Sequence, residues 1–156
     1  MEYDSARLAT EDDLAAVEWI GEAVTRPLPD KRGGSIFSHR EIGFESPGER
    51  FLRAMETENA ICVVGTYDDV VFGYSICFIE LLDDGTKLGR LHDFAVYPEA
   101  RDAGIGEAMM DIIVEHLTEL GAVGVDAWAL PGDRATKNFF ESFGLKARLL
   151  TAHRAL

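Results

Sequence analysis

The stretch "YPEARDAGIGEAMM", Tyr97 to Met110, decides how this chain is read. A proline, an arginine and two spaced glycines stand at the mouth of an apolar run. That run carries Ile105, Ala108, Met109, Ile112, Ile113, Leu117 and Leu120 at helical spacing, and Gly121 closes it. The first turn of a helix has unpaired N–H groups and the positive end of the helix dipole, so it attracts anions. Glycines let the backbone curl and let a ligand approach with no Cβ in the way. Arg101, Asp102, Ala103, Gly104, Ile105 and Gly106 therefore read as a phosphate seat, to which Arg101 adds a planar, fixed positive charge. The competing reading is a glycine-rich turn between strand and helix that holds no ligand. Two familiar phosphate loops are excluded. A dinucleotide fingerprint needs glycine where Met109 stands, and a P-loop needs G-K-[ST] after its glycines.

Working outward, "AICVVGTYDDVVFGYSICFIELLDDGTKLGRLHDFAVY", Ala60 to Tyr97, holds three β-rich runs separated by the turn signals "YDD" and "DDGTK". Connections that short make antiparallel neighbours. Near the start, "SARLAT" reads as a first strand. Thr10 with Asp13 then forms a capping-box-like start for a helix carrying Leu14, Val17, Ile20 and Val24. "RPLPDKRGG" ends that helix, and Arg26 to Gly48 reads as a loop, locally basic through Arg26, Lys31, Arg32, His39 and Arg40. Ser46-Pro47-Gly48-Glu49 opens a second helix through Phe51, Leu52 and Met55. After the long helix come a fifth strand, "VGVDAWAL", and a helix capped by Asp133 that presents Phe139, Phe140 and Phe143 and stops at Gly144. "KARLLTAHRAL", Lys146 to Leu156, reads as a final strand. The order β, α, α, β, β, β, α, β, α, β predicts one α/β (α+β) domain over residues 1–156, a mixed sheet with helices on its faces.

Bulk composition narrows the function. The chain has 156 residues, is 47% hydrophobic, and sets 28 acids against 15 Lys plus Arg for a net charge of −13. Such a surface repels a duplex or an anionic membrane, so neither nucleic acid nor membrane is an expected partner. Only four of the basic residues are Lys and the acids are scattered, a pattern that suits a halophile-like surface relieved by screening. No apolar run approaches a membrane span and the first residues are acidic, so a cytoplasmic protein is expected. Cys62 and Cys77 stand in apolar runs without zinc or CxxC spacing, which predicts buried inert thiols and no metal site.

Val96-x-Pro98-x-x-Arg101-x-x-Gly104-Ile105-Gly106 resembles the coenzyme A motif of the GNAT family of N-acetyltransferases. "LHDFAV" before it is similar to that family's splayed central strand, and "DRATKNFFESFGL" after it resembles a further family helix, most closely in "FFESFG". With "ARLATEDDLAAV" near the start, the resemblance runs through nearly the whole chain. It implies a mostly antiparallel sheet with a splayed central strand and helices on both faces. It also implies acetyl-CoA as cosubstrate and a small-molecule or peptide amine as acceptor. The pyrophosphate is expected on the backbone N–H groups of Arg101 to Gly106, and the pantetheine arm on the strand edge at Phe94, Ala95 and Val96. Asn138 is placed like family side chains that touch the cofactor arm, and Arg134 or Lys137 could meet the adenosine phosphate.

The implied chemistry moves an acetyl group from a thioester to an amine, which must first lose a proton because an ammonium has no lone pair. His92 and Asp93 are the best-placed bases, with Glu80 a third option. Strict alternation puts His92 and Asp93 on opposite faces unless a bulge intervenes. Where the family usually carries a tyrosine that protonates the departing thiolate, this chain has Phe140, or Phe139 in the neighbouring register. Tyr97 and Tyr74 are the remaining candidate donors. The missing hydroxyl keeps a second reading open, a catalytically weak acyl-CoA-binding or regulatory module of the same fold. The basic segment Arg26 to Arg40 is expected to cover the acceptor cleft, and its charge points to an acceptor carrying a carboxylate or phosphate. Pairing of two copies through a sheet edge is a further expectation.

Overall fold

The computed structural model describes residues 3–156. A five-stranded sheet runs in the order β1 (Asp4–Leu8), β2 (Ala60–Tyr67), β3 (Val70–Leu81), β4 (Lys87–Val96) and β5 (Gly124–Asp126). The first three pairings are antiparallel and β4–β5 is parallel. The β2–β3 turn places Asp68 and Asp69 at φ 51° and 65°, the paired left-handed geometry that two-residue hairpins demand. The fold is thus the mixed, mostly antiparallel sheet that the sequence predicts.

Helices cover both faces. α4 (Ile105–Glu119) and α5 (Arg134–Ser142) lie on one, where Ile105, Met109, Ile113 and Phe140 pack on Ile61, Val63, Cys77 and Leu91. α1 (Leu14–Thr25) and α3 (Pro47–Met55) lie on the other, where Val17, Ile20 and Phe51 pack on Cys62, Val64, Tyr74 and Ile76. Because β2 is covered on both faces, its apolar residues run on continuously instead of alternating with polar ones. The mouth of α4 sits close to the sheet because β2 offers it Gly65. A Cβ there would lie 2.4 Å from Ile105.

The chain departs from the expected elements in two places. The segment read as a loop from Arg26 to Gly48 is largely helical: a 3-10 turn (Leu28–Asp30), α2 (Gly34–Phe37) and a π-helical turn (Ser38–Ile42). Gly33 and Gly43, at φ 75° and 82°, provide the left-handed positions that bracket α2 and the π-helical turn. The expected final strand is absent. Lys146 to Leu156 carries no strand pairing, and Leu149 and Leu150 stay largely exposed. Two consecutive leucines face opposite ways on a strand, so this segment has no single apolar face to bury. Its tie to the sheet is the Arg148 guanidinium, whose Nε is 2.9 Å from Asp126. β5 is accordingly shorter than "VGVDAWAL" suggested, and the chain leaves the sheet after Asp126. No helix among the described residues is long and apolar enough to cross a membrane.

Candidate active site

The site begins with an irregularity in β4. Asp93 pairs with Ile76 and Leu91 with Cys77, so His92 has no cross-strand partner and forms a bulge. On a regular strand Leu91 and Asp93 would share a face. Here Leu91 packs in the α4–α5 core, while Asp93 turns to the α1–α3 side and meets Arg50 and Tyr74. The bulge therefore brings the two candidate bases together: His92 Nδ1 is hydrogen-bonded to Asp93 Oδ1.

Asp93 is saturated. The buried Arg50 guanidinium reaches it through Nη2 at 2.7 Å and Nε at 3.1 Å, and the Tyr74 hydroxyl donates to it at 2.9 Å. Burial alone would raise the Asp93 pKa, but the bonds from His92 and Arg50 outweigh it and bring the carboxyl down to about 2. Burial, reinforced by the charge of Asp93, holds the Tyr74 phenol well above its usual range, so it remains a donor. A carboxylate this firmly held orients its neighbour and is poorly suited to accept a proton. Sequence reasoning missed Arg50. Its signal was there, four residues before Ala54 and beside Phe51 on the buried face of α3.

His92 is enclosed by aromatic rings. Phe78 and Trp128 stand edge-on to it at 5.8 and 5.4 Å, and Phe37 of α2 packs on Trp128 at 5.4 Å. His92 Nε2 lies 3.1 Å from the Glu41 carbonyl in the π-helical turn. Both ring nitrogens thus face oxygen acceptors, and both bonds form together only when each nitrogen carries a proton. The segment from Lys31 to Ile42 packs over His92 and is tied across the cleft by Lys31, 3.4 Å from Asp133 at the cap of α5. Beneath the π-helical turn lies a cavity of about 230 Å³ lined by Thr25, Arg26, Ser38, Ile42, Glu45 and Arg50, among others. Glu80, the third candidate base, is exposed and stands 3.9 Å from Arg90, apart from this cluster.

The turn expected to seat an anion has its own geometry. β4 and β5 stay paired only from Leu88 to Arg90 on β4, after which the strands part. Trp128 Nε1 bonds the His92 carbonyl at 3.2 Å and closes the base of the opening. Beyond it, Phe94, Ala95 and Val96 have no strand neighbour on the β5 side. That free edge leads to the Arg101–Gly106 turn, where Asp102 and Gly104 adopt φ 68° and 84°. Gly104 caps α4 without a side-chain bond, which leaves the first N–H groups of the helix available. Arg101 is exposed and belongs to none of the ion pairs among the described residues. An acid stands nearby: a Cβ on Gly104 would lie 2.8 Å from Asp4 Oδ2. At Gly106 a Cβ would lie 2.9 Å from Phe139, so α5 approaches the seat only because that side chain is missing. Asn138 is exposed on α5, next in sequence to Phe139.

Phe140 is buried in the α4–α5 core and Phe139 packs against Phe94, the tilted rings 5.2 Å apart. Neither alternative hydroxyl replaces the missing one there. Tyr74 and Tyr97 pack with the α1–α3 core, Tyr97 stacked 3.9 Å from Trp19. Cys62 and Cys77 are buried and free, and burial pushes their thiols up to about 12 and about 11.

Nearly the whole chain matches known structures in fold. A tetramutant of the BH1408 protein of Bacillus halodurans superposes with a TM-score of 0.82 at 21% identity, over 97% of this chain and 99% of that one. An acetyltransferase of Trypanosoma brucei gives 0.69 at 18% identity, over 98% and 99%. An aminoglycoside acetyltransferase from an uncultured soil metagenomic sample, solved with sisomicin, gives 0.71 at 16%, over 99% and 97%. No curated protein sequence matches the chain. The sequence model of the acetyltransferase (GNAT) family matches residues 29–145, a span running from α1's exit through the free β4 edge and the α4 mouth to the end of α5. With splayed strand, glycine turn and phenylalanine helix all inside that match, the chain belongs to the GNAT family of acetyltransferases.

Proposed function

We propose that this protein is an N-acetyltransferase that moves an acetyl group from acetyl-CoA to a primary amine by direct attack, with both substrates bound together. The observation that carries the reading is continuity: the unpaired β4 edge runs from the bulged His92 to the mouth of α4, whose Gly104 cap offers no side-chain bond. The backbone N–H groups of Arg101 to Gly106 hold the pyrophosphate, assisted by the Arg101 guanidinium. The pantetheine amides pair with the edge at Phe94, Ala95 and Val96, and Asn138 meets the arm from α5. Physically the fit is sound, because a polyamide arm needs backbone partners and an open strand edge supplies them.

His92 is the catalytic base and Asp93 its positioning residue. Asp93 fixes Nδ1 as the protonated nitrogen, which leaves Nε2 to take a proton. His92 acts once its Nε2 proton has passed to solvent. The incoming amine takes the place of the Glu41 carbonyl, gives up one proton to Nε2 and attacks the thioester carbon. The second proton leaves to solvent as the amide forms. The C–N bond forms, the C–S bond breaks, and the electron pair leaves on sulfur. Phe140 offers no proton, so the thiolate departs as the anion and is protonated from solvent, tolerable for a thiol with pKa near ~8.5. Phe140 is also what favours the second reading, an acyl-CoA-binding module with little turnover.

Two measurements separate these readings. Calorimetry with CoA should show binding; none at millimolar CoA defeats both. Thiol release from acetyl-CoA over a panel of amines should then rise above hydrolysis. It should fall about 10²- to 10⁴-fold in His92→Gln with CoA affinity unchanged. Tight CoA binding without amine-dependent release would establish the binding module instead.

A further inference from the structure

The cavity beneath the π-helical turn has an uneven charge balance. Its Arg50 is matched by Asp93 and its Glu45 by Arg53, at 2.7 Å in each case. Arg26, at the end of α1, lines the same cavity and is in none of the ion pairs among the described residues. The cavity therefore carries one uncompensated positive charge. It also contains an unmet hydrogen bond. Ser38 lines it, and the Ser38 hydroxyl is the buried side-chain oxygen left without a partner among the described residues. Buried polar atoms in folded proteins nearly always have partners, so such an orphan calls for a ligand or water to complete it. The other loop cations are placed differently, and Lys31 pairs with Asp133. Arg40 is paired with Glu41, and Arg32 is exposed and does not line the cavity.

Position links this cavity to the chemistry. Its Arg50 wall shares Asp93 with His92, and its Ile42 wall follows Glu41, whose carbonyl covers His92 Nε2. His92 does not line the cavity itself; Asp93 and Glu41 connect the two. At about 230 Å³ the cavity is smaller than the ~300–1,000 Å³ of pockets that enclose drug-sized ligands. Its size and sign both oppose a bulky polycation.

We infer that this cavity holds the carboxylate of the acceptor, which makes the acceptor a small amino acid. The inference rests on the acetyltransferase reading above. Arg26 pairs with the carboxylate through its planar fork, and Ser38 donates its free hydroxyl to it. The amino group, a bond or two away, extends past Ile42 and takes the place of the Glu41 carbonyl at His92 Nε2. Acetyl transfer then yields an N-acetyl amino acid and CoA thiol. The π-helical turn has a role in this arrangement, since such turns recur at functional sites and this one forms the roof of the cavity.

The test compares each of a set of amino acids with its amide and with the amine lacking the carboxyl group. Binding to the CoA-loaded protein is measured by calorimetry, and turnover by thiol release. The wild type should bind at least one amino acid about 10- to 100-fold more tightly than its amide. Arg26→Gln should remove that preference, Ser38→Ala should reduce it, and CoA affinity should stay the same in both. Arg26 is exposed, so its replacement leaves the fold intact. Equal binding of acids and amides, no binding of any amino acid, or a preference that survives Arg26→Gln overturns the inference. Turnover of amines without carboxylate preference would overturn it while leaving the acetyltransferase reading standing. An Arg26-dependent preference without thiol release would keep the carboxylate site and defeat the transferase reading.

Discussion

Asp93→Asn is the perturbation whose cost the structure defines best. The Arg50 side chain is 3% exposed and Asp93 is its anion, bonded through both Nε and Nη2. An asparagine keeps the shape and removes the charge, which leaves a buried guanidinium uncompensated. Breaking one side of such a pair costs about 3–5 kcal/mol. For a domain of this length each kcal/mol lowers Tm by roughly 2–4 °C, so a fall of about 6–20 °C is expected at neutral pH. Against the opposing effect of burial, the bonds from His92 and Arg50 hold the carboxyl down to about 2 in the fold, below the ordinary carboxylate range. A depressed acid contributes stability above its unfolded pKa and loses it as pH falls through the folded one. About 2 kcal/mol of the pair's contribution is therefore proton-linked. The Tm gap between wild type and Asp93→Asn should stay constant from pH 8 to 5 and narrow below pH 4. Circular dichroism melts across that range measure it. A loss under 3 °C at pH 7, or a gap that widens in acid, would refute the ion-pair account. The double variant Arg50→Met/Asp93→Leu should recover part of the loss, limited by the buried Tyr74 hydroxyl that then lacks its acceptor.

Three further outcomes follow from the cofactor side. Gly106→Ala gains up to ~1 kcal/mol of helix propensity in principle, yet its Cβ would meet Phe139 at 2.9 Å, so Tm should fall and the CoA Kd should rise about tenfold. Asp4→Asn removes an acid beside Gly104, and CoA should bind severalfold more tightly at low salt, with the gain shrinking as KCl is added. Phe140→Tyr puts a hydroxyl on a ring that is 7% exposed; kcat should rise at least tenfold if the new group reaches the leaving thiolate, at some cost in Tm. Unchanged kcat in that variant would place the departing sulfur away from Phe140.

Local signals in the sequence were sufficient wherever local chemistry determined the structure. Ser46 with Glu49 formed its capping box, Asp68-Asp69 its hairpin turn, and Gly104 its left-handed cap. The α4 mouth and the β4 edge beside it were legible for the same reason. What escaped were consequences of register and distant packing. The alternation of "LHDFAV" is compatible with a straight strand, and only pairing with β3 reveals that His92 is the residue left over. Arg50 lies 43 positions from Asp93, and no spacing rule connects them. Arg26 to Gly48 read as a loop because its prolines, glycines and serines are turn residues, although its short helices are held by packing on Trp128 and Asp133. The final segment failed for the opposite reason, since its strand-forming residues have no apolar face to bury.

In the proposed mechanism His92, oriented by Asp93, takes the amine's proton. The most direct measurement is kcat/KM for amine acetylation from pH 5 to 9, at saturating acetyl-CoA, in wild type and His92→Gln. The rate in His92→Gln should be at least 10²-fold below the wild type at every pH, leaving only the rise that follows the acceptor's own deprotonation. An identical ascending limb in His92→Gln, at a comparable rate, would contradict it.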